Sequence, residues 1–440
     1  MKIGTTDAID DALAEDKKAS FWSRYRQSIH FKSDLKEVFF RPHKRYATLD
    51  GARAITILLL VLFHVLYGVV KILDENLSAF FEAFPKYLNW MWQTQGSDPL
   101  FVVSGLLVSY TLFREYDRAQ SLDIMRYFKR RMLRIYPLFL VGLLVFLPSN
   151  ARYWDYLLSN LVFISNYLPN DRPIIPVAWS LEVQVQFYIL LPFLCLLLYK
   201  VRWRIPLLVS LIVATLAYRY WVVASNPVYY ETPLYQVHYN RAFARLMADK
   251  LYYDFDVRAG GFFMGMLVAY LHHYYGKVMT DFFKRHPVVN TLLLFTALYL
   301  IAWSFSYPMF NPEADFYTNF DANANLWYLA LNRYTYSLGM SILLIMVLCP
   351  AGLSRIANWV MSWPIWHPFA QMIYPIYLFH FPFIVLGMVV SFGTIDEDSI
   401  TSVSMPEVFS IYFFTLLFTI IFSSLVHIFI ERPFLKFREA

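Results

Sequence analysis

A histidine and an arginine lie on one face of the first long apolar stretch of this sequence. Arg53 and His64 are eleven positions apart in ARAITILLLVLFH, which is about 16 Å of helix and close to three turns. If Arg53 marks the inner edge of a hydrocarbon core about 30 Å thick, His64 lies near the midplane. An uncharged imidazole there can act as a general base. A lone histidine in such a segment can equally be a packing residue, but an arginine on the same face favours function.

Two further ionisable side chains interrupt apolar runs, although each costs about 2.5–3.5 kcal/mol at the centre of a membrane helix. Glu182 lies in AWSLEVQVQFYILLP and is followed by Gln184 and Gln186. Three polar side chains in one apolar helix indicate either a wet cavity or hydrogen bonds between helices. His380 lies in IYPIYLFHFPF between two prolines that can bend a helix. For both sites, a structural and a functional role are equally compatible with the sequence.

A cluster of cations stands directly before another apolar stretch, in KRRMLRIYP. Its members are Lys129, Arg130, Arg131 and Arg134. Membrane topology alone explains part of the cluster. Arg131 and Arg134, however, are three positions apart and share a helical face, a spacing that suits a polyanion such as a pyrophosphate. Because the sequence has no glycine-rich phosphate loop here, side chains would have to hold any nucleotide-like ligand.

These residues belong to a chain that is too apolar to be a soluble protein. Of its 440 residues, 58% are hydrophobic and 16% are charged, against about 45–50% and about 25% in soluble domains. The apolar residues form long unbroken runs, not the alternating pattern of a membrane β-barrel. The sequence therefore predicts an all-α, polytopic integral membrane protein. Cys195 and Cys349 both lie in apolar runs and are expected to be core residues.

About ten apolar stretches are long enough to cross a bilayer, which takes about 20 helical residues. We place them near 54–73, 94–113, 135–148, 177–199, 205–224, 258–275, 288–305, 334–350, 372–392 and 407–430. The aromatic and apolar segments 79–95 and 153–168 either form interfacial helices or lengthen their neighbours. The sequence thus predicts about ten transmembrane helices and no separate soluble domain.

Charge predicts the side on which the two ends of the chain lie. The net charge is +6, and basic residues concentrate at 17–45 and in the connections after the second, fourth, sixth and eighth stretches. The positive-inside rule accounts for this charge, so both termini are predicted to be cytoplasmic. No nucleic-acid motif is present, and no nucleic-acid partner is expected. Three parts follow: a tail at 1–45, which either lies on the membrane surface or only sets topology, a membrane domain at 46–434, and a short tail at 435–440.

Several of these motifs together resemble the membrane-bound acyltransferase family 3, the O-acyltransferases of bacterial surface glycans. The resemblance extends from about Arg45 to Phe434. The matching stretches are RYATLDGARAITILLLVLFH at 45–64, DPLFVVSGLLV at 98–108, RRMLRIYPLF at 130–139, AWSLEVQVQFYILLP at 178–192 and YPIYLFHFP at 374–382. Motifs in this order, on a profile of about ten spans, are far more specific than any one of them alone.

The resemblance implies an acyl-CoA donor on the cytosolic side and an acceptor hydroxyl on an extracytoplasmic glycan or lipid-linked sugar. The family's first-span pair corresponds to Arg53 and His64, with His64 as the catalytic base. Its paired arginines correspond to Arg131 and Arg134. The residues expected to hold the CoA phosphates are Arg53, Lys129, Arg130, Arg131 and Arg134. The other pocket positions are Asp98, Ser104, Glu182, Tyr377 and His380.

The sequence departs from the family pattern in four respects, one of which is Pro99–Leu100 in the second span, where an apolar–aromatic pair is common. The usual glutamate after Trp-Ser-Leu falls at Gln184, with Glu182 two positions earlier, so the role of either residue stays undecided. The usual serine before the late tyrosine motif is Ile373. Many relatives carry an additional soluble domain of the SGNH esterase type, and this chain, whose last residue is Ala440, is expected to be the form without it.

The predicted function is that of an acyl-CoA-dependent O-acyltransferase of the bacterial inner membrane, with acetyl as the expected acyl group. Direct transfer and prior acylation of His64 both fit the sequence. The expected partners are acyl-CoA, the glycan or sugar acceptor and membrane lipids, and neither a metal nor a permanently bound cofactor is expected.

The alternative prediction is a proton-coupled transporter or flippase, because ionisable residues within the membrane also suit a carrier. The one-sided basic cluster and the lack of an inverted sequence repeat count against it. The sequence predicts no oligomeric state, because the spacing of Gly261 and Gly265 is too common to indicate a dimer.

Overall fold

The computed structural model describes residues 21–40, 47–73, 97–168, 173–307, 315–394, 396 and 399–437. Within these ranges the chain consists of helices and their connections, with no strand. Ten of the described helices have 17 residues or more. They are α1 (Ala47–Leu73), α2 (Asp98–Ala119), α3 (Ile124–Phe146), α4 (Ala178–Lys200), α5 (Arg204–Ala224), α6 (Gly260–Arg285), α7 (Pro287–Trp303), α8 (Ala322–Leu348), α9 (Ile373–Phe392) and α10 (Met405–Val426).

Each predicted apolar stretch corresponds to one of these long helices. Among the described residues, seven helices are long and apolar enough to cross a membrane, or eight if α6 and α7, which bend by 107° where they meet, form one span. The protein is therefore an all-α polytopic membrane protein, as predicted. The number of ten crossings and the cytoplasmic position of the termini stay predictions.

Two helices begin well before the apolar stretches that predicted them. α3 begins at Ile124 and α8 at Ala322, whereas the apolar stretches begin at 135 and 334. Asp123 Oδ1 accepts the Arg126 amide at 2.9 Å and so caps α3, and Asp321 caps α8 in the same way. Hydropathy misses these first turns because they are polar and charged. The basic run that precedes the third stretch is therefore helical and not part of a loop.

Glycines allow α2 and α6 to cross in backbone contact. A Cβ atom on Gly105 would lie 2.3 Å from the Phe262 carbonyl oxygen, and one on Gly265 would lie 2.1 Å from the Val102 carbonyl oxygen. Both distances are too short for any side chain, so the crossing requires glycine at these positions. Gly261 also faces the interior, since its Cβ would lie 3.3 Å from Ser337 Oγ. The small residues of α6 thus serve packing within the chain.

Two short helices near the N-terminus dock on the last described helix, Arg432–Phe437. These helices are Phe21–Ser28 and Phe31–Phe39. Asp34 Oδ1 lies 2.9 Å from Arg432 Nη1 and 3.2 Å from Lys436 Nζ. Burial alone would raise the pKa of Asp34, but the His30 amide, Lys436 and Arg432 together lower that pKa below its ordinary value. The predicted segment at 79–95 and residues 1–20 of the predicted tail lie outside the described residues.

Both cysteines are free and buried, as predicted. Residues 153–168, which were expected either to form an interfacial helix or to lengthen their neighbours, form separate short turns. These turns are Ala151–Trp154, Leu157–Leu161 and Ser165–Tyr167. They contact both α3 and α4, because Tyr136 of α3 donates to the Leu161 carbonyl at 2.6 Å and Ser165 donates to Glu182 of α4 at 2.6 Å.

Candidate active site

The basic run of α3 faces a cavity of about 510 Å³ that lies between α1, α2, α3, α4 and α9. Its charged wall consists of Arg53, Arg130, Arg131 and Arg134. As far as the structure describes the chain, the lining contains no carboxylate. Guanidinium groups present planar sets of donors that match phosphate oxygens. Four of them around one cavity favour an anionic ligand with more than one phosphate group.

Aromatic rings orient one of these guanidinium groups. Arg131 lies near two tyrosines, with its Cζ 5.7 Å from the ring centroid of Tyr127 and 5.6 Å from that of Tyr188. Tyr127 also donates a hydrogen bond to the Tyr188 carbonyl at 3.0 Å, which joins α3 to α4. Cation–π contacts of this kind stabilise a desolvated guanidinium. Arg131 is thus positioned for a ligand by the packing of two helices.

Uncharged polar side chains line the cavity beyond the arginines. Gln184 Nε2 donates to Ser104 Oγ at 2.7 Å and to the Tyr188 hydroxyl at 2.6 Å. The two hydroxyl oxygens are 2.8 Å apart. This cluster joins α2 to α4 and offers hydrogen-bonding groups without charge. Such a wall suits an uncharged chain that carries amide groups.

The cavity reaches a hydrogen bond between α4 and α9. Tyr377 donates its hydroxyl hydrogen to the Val177 carbonyl at 2.9 Å. Ser180 Oγ is 2.5 Å from the same hydroxyl oxygen. Ser180 and Tyr377 both line the cavity. The Tyr377 ring lies 6.3 Å from the His380 ring on the next turn of α9.

Two histidines from α1 and α9 form a pair beside this contact. His64 Nδ1 lies 2.9 Å from His380 Nε2. The rings are stacked at a centroid distance of 4.9 Å, and the Phe381 ring lies 4.8 Å from His64. His380 is 0% exposed, and His64 is partly exposed. Positions 316 residues apart in the chain therefore meet as one unit.

The hydrogen bonds of the pair assign its tautomers. His380 Nδ1 lies 3.1 Å from the Ile376 carbonyl oxygen and 2.8 Å from that of Tyr377. Carbonyl oxygens only accept, so His380 carries its hydrogen on Nδ1, and Nε2 of the uncharged ring is an acceptor. His64 must then donate from Nδ1. Its Nε2 is left with a lone pair that can take a proton.

The candidate site has two parts with a hydrogen bond between them. The cavity supplies the cationic wall and the neutral channel, and the histidine pair supplies the base. Neither His64 nor His380 belongs to the cavity lining. Tyr377 connects the two parts. It lines the cavity, and its backbone carbonyl accepts the hydrogen bond from His380 Nδ1. Within the described ranges, no three metal-ligating side chains come together.

The predicted site residues lie in the cavity, in the histidine pair or outside both. The cavity brings together Arg53, Ser104, Arg130, Arg131, Arg134 and Tyr377. The pair joins His64 to His380. Lys129 is exposed and does not line the cavity.

Asp98 lies at the start of α2, in a buried ion pair away from the cavity. Its Oδ2 is 2.7 Å from Arg333 Nη1 of α8 and 3.3 Å from Arg258 Nη2. The Arg258 side chain is 0% exposed. The Arg258 Cζ lies 5.5 Å from the Phe101 ring centroid. In this geometry Asp98 joins α2 to α8 and neutralises buried charge.

Glu182 and Gln184 point in different directions, as a difference of two positions on a helix requires. Glu182 is buried and accepts hydrogen bonds from Ser165 Oγ at 2.6 Å and from the Asn166 amide at 2.8 Å. Gln184 faces the cavity. The residue at the family's usual glutamate position is thus the one beside the ligand channel, and Glu182 positions the turn at 165–167.

Sequence reasoning did not single out Ser180 or Tyr188, which also line the cavity. The signal was present, because Ser180, Gln184 and Tyr188 follow one another at steps of four residues and therefore share a helical face. Hydropathy does not report this face, since tyrosine and serine are common in membrane helices.

The fold and the site together define a polytopic membrane protein in which a basic cavity lies beside a buried histidine pair. A family model described as "Acyltransferase domain" (Acyl_transf_3) matches residues 46–426. The chain belongs to this acyltransferase family. No solved structure matches it.

Relatives match parts of the chain. An uncharacterized protein of Haemophilus influenzae (strain ATCC 51907 / DSM 11121 / KW20 / Rd) is 26% identical over 228 residues, which cover 46% of this chain and 86% of that protein. "O-acetyltransferase OatA" of Staphylococcus aureus (strain NCTC 8325 / PS 47) is 30% identical over 185 residues, covering 36% of this chain and 27% of OatA. "Putative O-acetyltransferase SACOL0978" of S. aureus (strain COL) is 24% identical over 413 residues, covering 88% of this chain and 57% of that protein. The chain thus spans about a quarter and about half of the two relatives named as O-acetyltransferases.

Proposed function

We propose that this protein is an O-acyltransferase of the bacterial inner membrane. It takes an acyl group, acetyl in the simplest case, from acyl-CoA and transfers it to a hydroxyl of an extracytoplasmic glycan or lipid-linked sugar. The observation that carries the proposal is the 2.9 Å contact between His64 Nδ1 and His380 Nε2, beside a cavity with four guanidinium groups. The names of the two staphylococcal relatives support acetyl transfer to oxygen.

The donor occupies the cavity with its phosphates against the arginines. CoA carries a charged nucleotide at one end and a thioester at the other, joined by a chain with two amide groups. The guanidinium groups of Arg53, Arg131 and Arg134 neutralise the phosphates, and Gln184 and Ser104 contact the amide-bearing chain. The thioester then reaches Ser180 and Tyr377, next to the histidine pair. This placement keeps the charged end of CoA out of the hydrocarbon core.

The chemical step needs one proton transfer and one acyl transfer. His64 Nε2 accepts the proton of the acceptor hydroxyl while that oxygen attacks the thioester carbonyl carbon. The resulting tetrahedral intermediate collapses, the carbon–sulfur bond breaks, and the CoA thiolate takes the proton back from His64. His380 accepts the Nδ1 hydrogen bond of His64 throughout and stabilises the transient imidazolium, as the third member of a catalytic triad does. Prior acylation of His64 would use the same lone pair.

Transfer of radiolabel from acetyl-CoA to cell-envelope glycan tests the proposal with the purified protein in nanodiscs. We expect label on the glycan. The His64→Ala variant should lose transfer by roughly 10²-fold to 10⁴-fold, the usual contribution of a general base. The Arg131→Gln and Arg134→Gln variants should raise the donor KM by about tenfold or more, since a hydrogen bond to a charged group contributes about 1.5–3 kcal/mol.

The matched control is Arg285→Gln, which removes an exposed arginine at the end of α6, outside the cavity. It should behave like the wild type. Full activity in His64→Ala would refute the assignment of the base. Movement of a solute into proteoliposomes that contain the protein, without any labelled product, would instead support a transporter.

A further inference from the structure

A second basic cavity, of about 430 Å³, adjoins the first. It is lined by Thr111, Arg114, Glu115, Arg118, Ala119, Ser121, Asp123, Arg126 and Arg130. Thr111 and Arg130 line both cavities, so the two spaces meet at these side chains. Sequence reasoning assigned Arg130 to the CoA phosphates, but it assigned Arg114, Arg118 and Arg126 only to membrane topology.

One face of α2 runs through both cavities. The lining positions on this helix include Leu100, Ser104, Leu107, Thr111, Arg114 and Arg118. Their steps of three and four residues place them on a single face. The face is apolar or hydroxyl-bearing up to Thr111 and cationic from Arg114 onwards. From Ser104 to Arg118 it extends about 21 Å along the helix axis, which gives room for a long ligand with a charged end.

The carboxylates of the second cavity are engaged in holding the helix ends together. Glu115 Oε1 accepts the Asp123 amide at 3.2 Å, and Asp123 Oδ1 accepts the Arg126 amide at 2.9 Å. In the described part of the chain, none of the cavity's four arginines forms an ion pair within 4.0 Å. Arg118 and Arg126 are also exposed. With four guanidinium groups and two carboxylates in its lining, the second cavity therefore has an excess of positive charge.

We infer that the second cavity binds the 3′-phosphate of the donor's adenosine, while the first cavity binds the pyrophosphate. The inference rests on the proposed function, because it assumes a CoA donor. A phosphate monoester carries about −1.5 to −2 charges at neutral pH, and the planar forks of Arg118 and Arg126 face it from α2 and α3. The arginine shared by both cavities, Arg130, then lies between the two phosphate positions.

A comparison of CoA with dephospho-CoA tests the inference, because the two molecules differ only in the 3′-phosphate. We expect the purified wild-type protein, in nanodiscs of zwitterionic lipid, to bind CoA about tenfold to a hundredfold more tightly than dephospho-CoA. Arg118→Gln and Arg126→Gln should weaken CoA binding to the level of dephospho-CoA and leave dephospho-CoA binding unchanged. Arg285→Gln, the exposed control on α6, should keep the wild-type preference.

The same pair of donors, as acetyl thioesters, separates this inference from the proposed function. Acetyl transfer from both donors with equal KM would overturn the 3′-phosphate site and leave the transferase intact. A binding preference for CoA without any acetyl transfer would keep the site and refute the transferase. Anionic lipid headgroups share the phosphate chemistry, so a third arm adds phosphatidylglycerol to the nanodiscs. If that lipid displaces CoA and the protein binds CoA and dephospho-CoA equally, the second cavity is a lipid site and the inference is wrong.

Discussion

At the scale of single residues, the protonation of His64 depends on a side chain that does not touch the acceptor. His380 is held by two carbonyl oxygens of its own helix, which fix its hydrogen on Nδ1. Its Nε2 can then only accept, and this leaves His64 one orientation in the pair. Since both ring nitrogens of His380 are engaged, it has no hydrogen to donate to an oxyanion. We therefore assign His380 a positioning role.

Replacement of His380 tests this role. His380→Ala should lower kcat by roughly 10²-fold to 10⁴-fold, as the loss of the tautomer-fixing residue does in a catalytic triad, and should leave the donor KM unchanged. His380→Gln should restore part of kcat, because its amide oxygen can accept the His64 hydrogen bond. Steady-state kinetics on both variants, with a thermal unfolding control, measure the effect.

A merely structural His380 would give a different pattern. In that case the alanine variant would unfold at a lower temperature and lose kcat in proportion to the protein lost. The glutamine variant would then recover no activity per folded molecule. An equal rise in the donor KM for both variants would also contradict the positioning role, because the histidine pair lies outside the cavity.

The sequence predicted the two histidines separately and could not predict their pairing. His64 and His380 each interrupt an apolar run, which is visible in one dimension. Their 2.9 Å contact depends on how α1 and α9 pack, which no local pattern reports. The same limit applies to Glu182 and Gln184, because two positions differ by about 200° around a helix. Only the rotation of α4 in the bundle decides which one meets the ligand channel.

At the scale of helices, the crossing of α2 and α6 decides the shape of both cavities. α2 contributes one face to the cavities, and its opposite contacts include the backbone of α6 at Gly265. A side chain at this crossing would push α2 towards the ligand space. Packing between the helices and the width of the cavities are therefore set by the same glycine.

Gly265→Ala should destabilise the protein by roughly 1–3 kcal/mol, the usual cost of overpacking. The added Cβ would lie 2.1 Å from the Val102 carbonyl oxygen, which is backbone and cannot rotate away. Thermal unfolding of the purified variant in detergent measures the loss. We expect the donor KM to rise as well, because α2 carries lining residues of both cavities.

The control for this variant is Gly276→Ala on the same helix. Its Cβ would lie 3.2 Å from Nδ1 of the His272 side chain, which can move, and alanine favours a helix over glycine by about 1 kcal/mol. Gly276→Ala should therefore be neutral or stabilising. If both variants were equally destabilised, the cost would come from membrane insertion or another general effect and not from the α2–α6 crossing.

The helices themselves were largely predictable, whereas some of their ends were not. Long apolar runs predicted all ten, because a membrane helix must be apolar where it meets lipid. The beginnings of α3 and α8 lie in polar sequence that is helical because caps and tertiary contacts stabilise it. The beginning of α3 also carries Arg126 and Arg130 into the second cavity. Hydropathy thus fails where function places charge on a helix.

At the scale of the whole molecule, α2 links a buried ion pair at one end to an open basic cavity at the other. It begins at Asp98, in a buried ion pair with Arg258 and Arg333, and it ends among the arginines of the second cavity. A helix of 22 residues is about 33 Å long, close to the thickness of a hydrocarbon core. If α2 crosses the bilayer, the two regions lie near opposite membrane surfaces, and the proposed donor would enter from the surface at which α2 ends.

Cysteine labelling tests which surface this is. Both native cysteines are buried, so a single new cysteine should dominate the reaction with a membrane-impermeant maleimide. We choose two exposed serines for replacement by cysteine. Ser121 lies just after α2, and Ser225 lies just after α5. If the positive-inside rule holds for this chain, Ser121→Cys should react in inside-out vesicles and Ser225→Cys in intact spheroplasts. Because Ser121 lines the second cavity, added CoA should slow its labelling.

The reverse labelling pattern would refute both acyl-CoA as the donor and the predicted orientation of the helices. CoA thioesters are made and kept in the cytosol, so a cavity that opens to the outside would have no acyl-CoA to bind. Its arginines would then have to serve an extracytoplasmic anion. Labelling of Ser121→Cys from inside with no protection by CoA would be a narrower result. It would keep the orientation of the bundle and remove CoA from the second cavity.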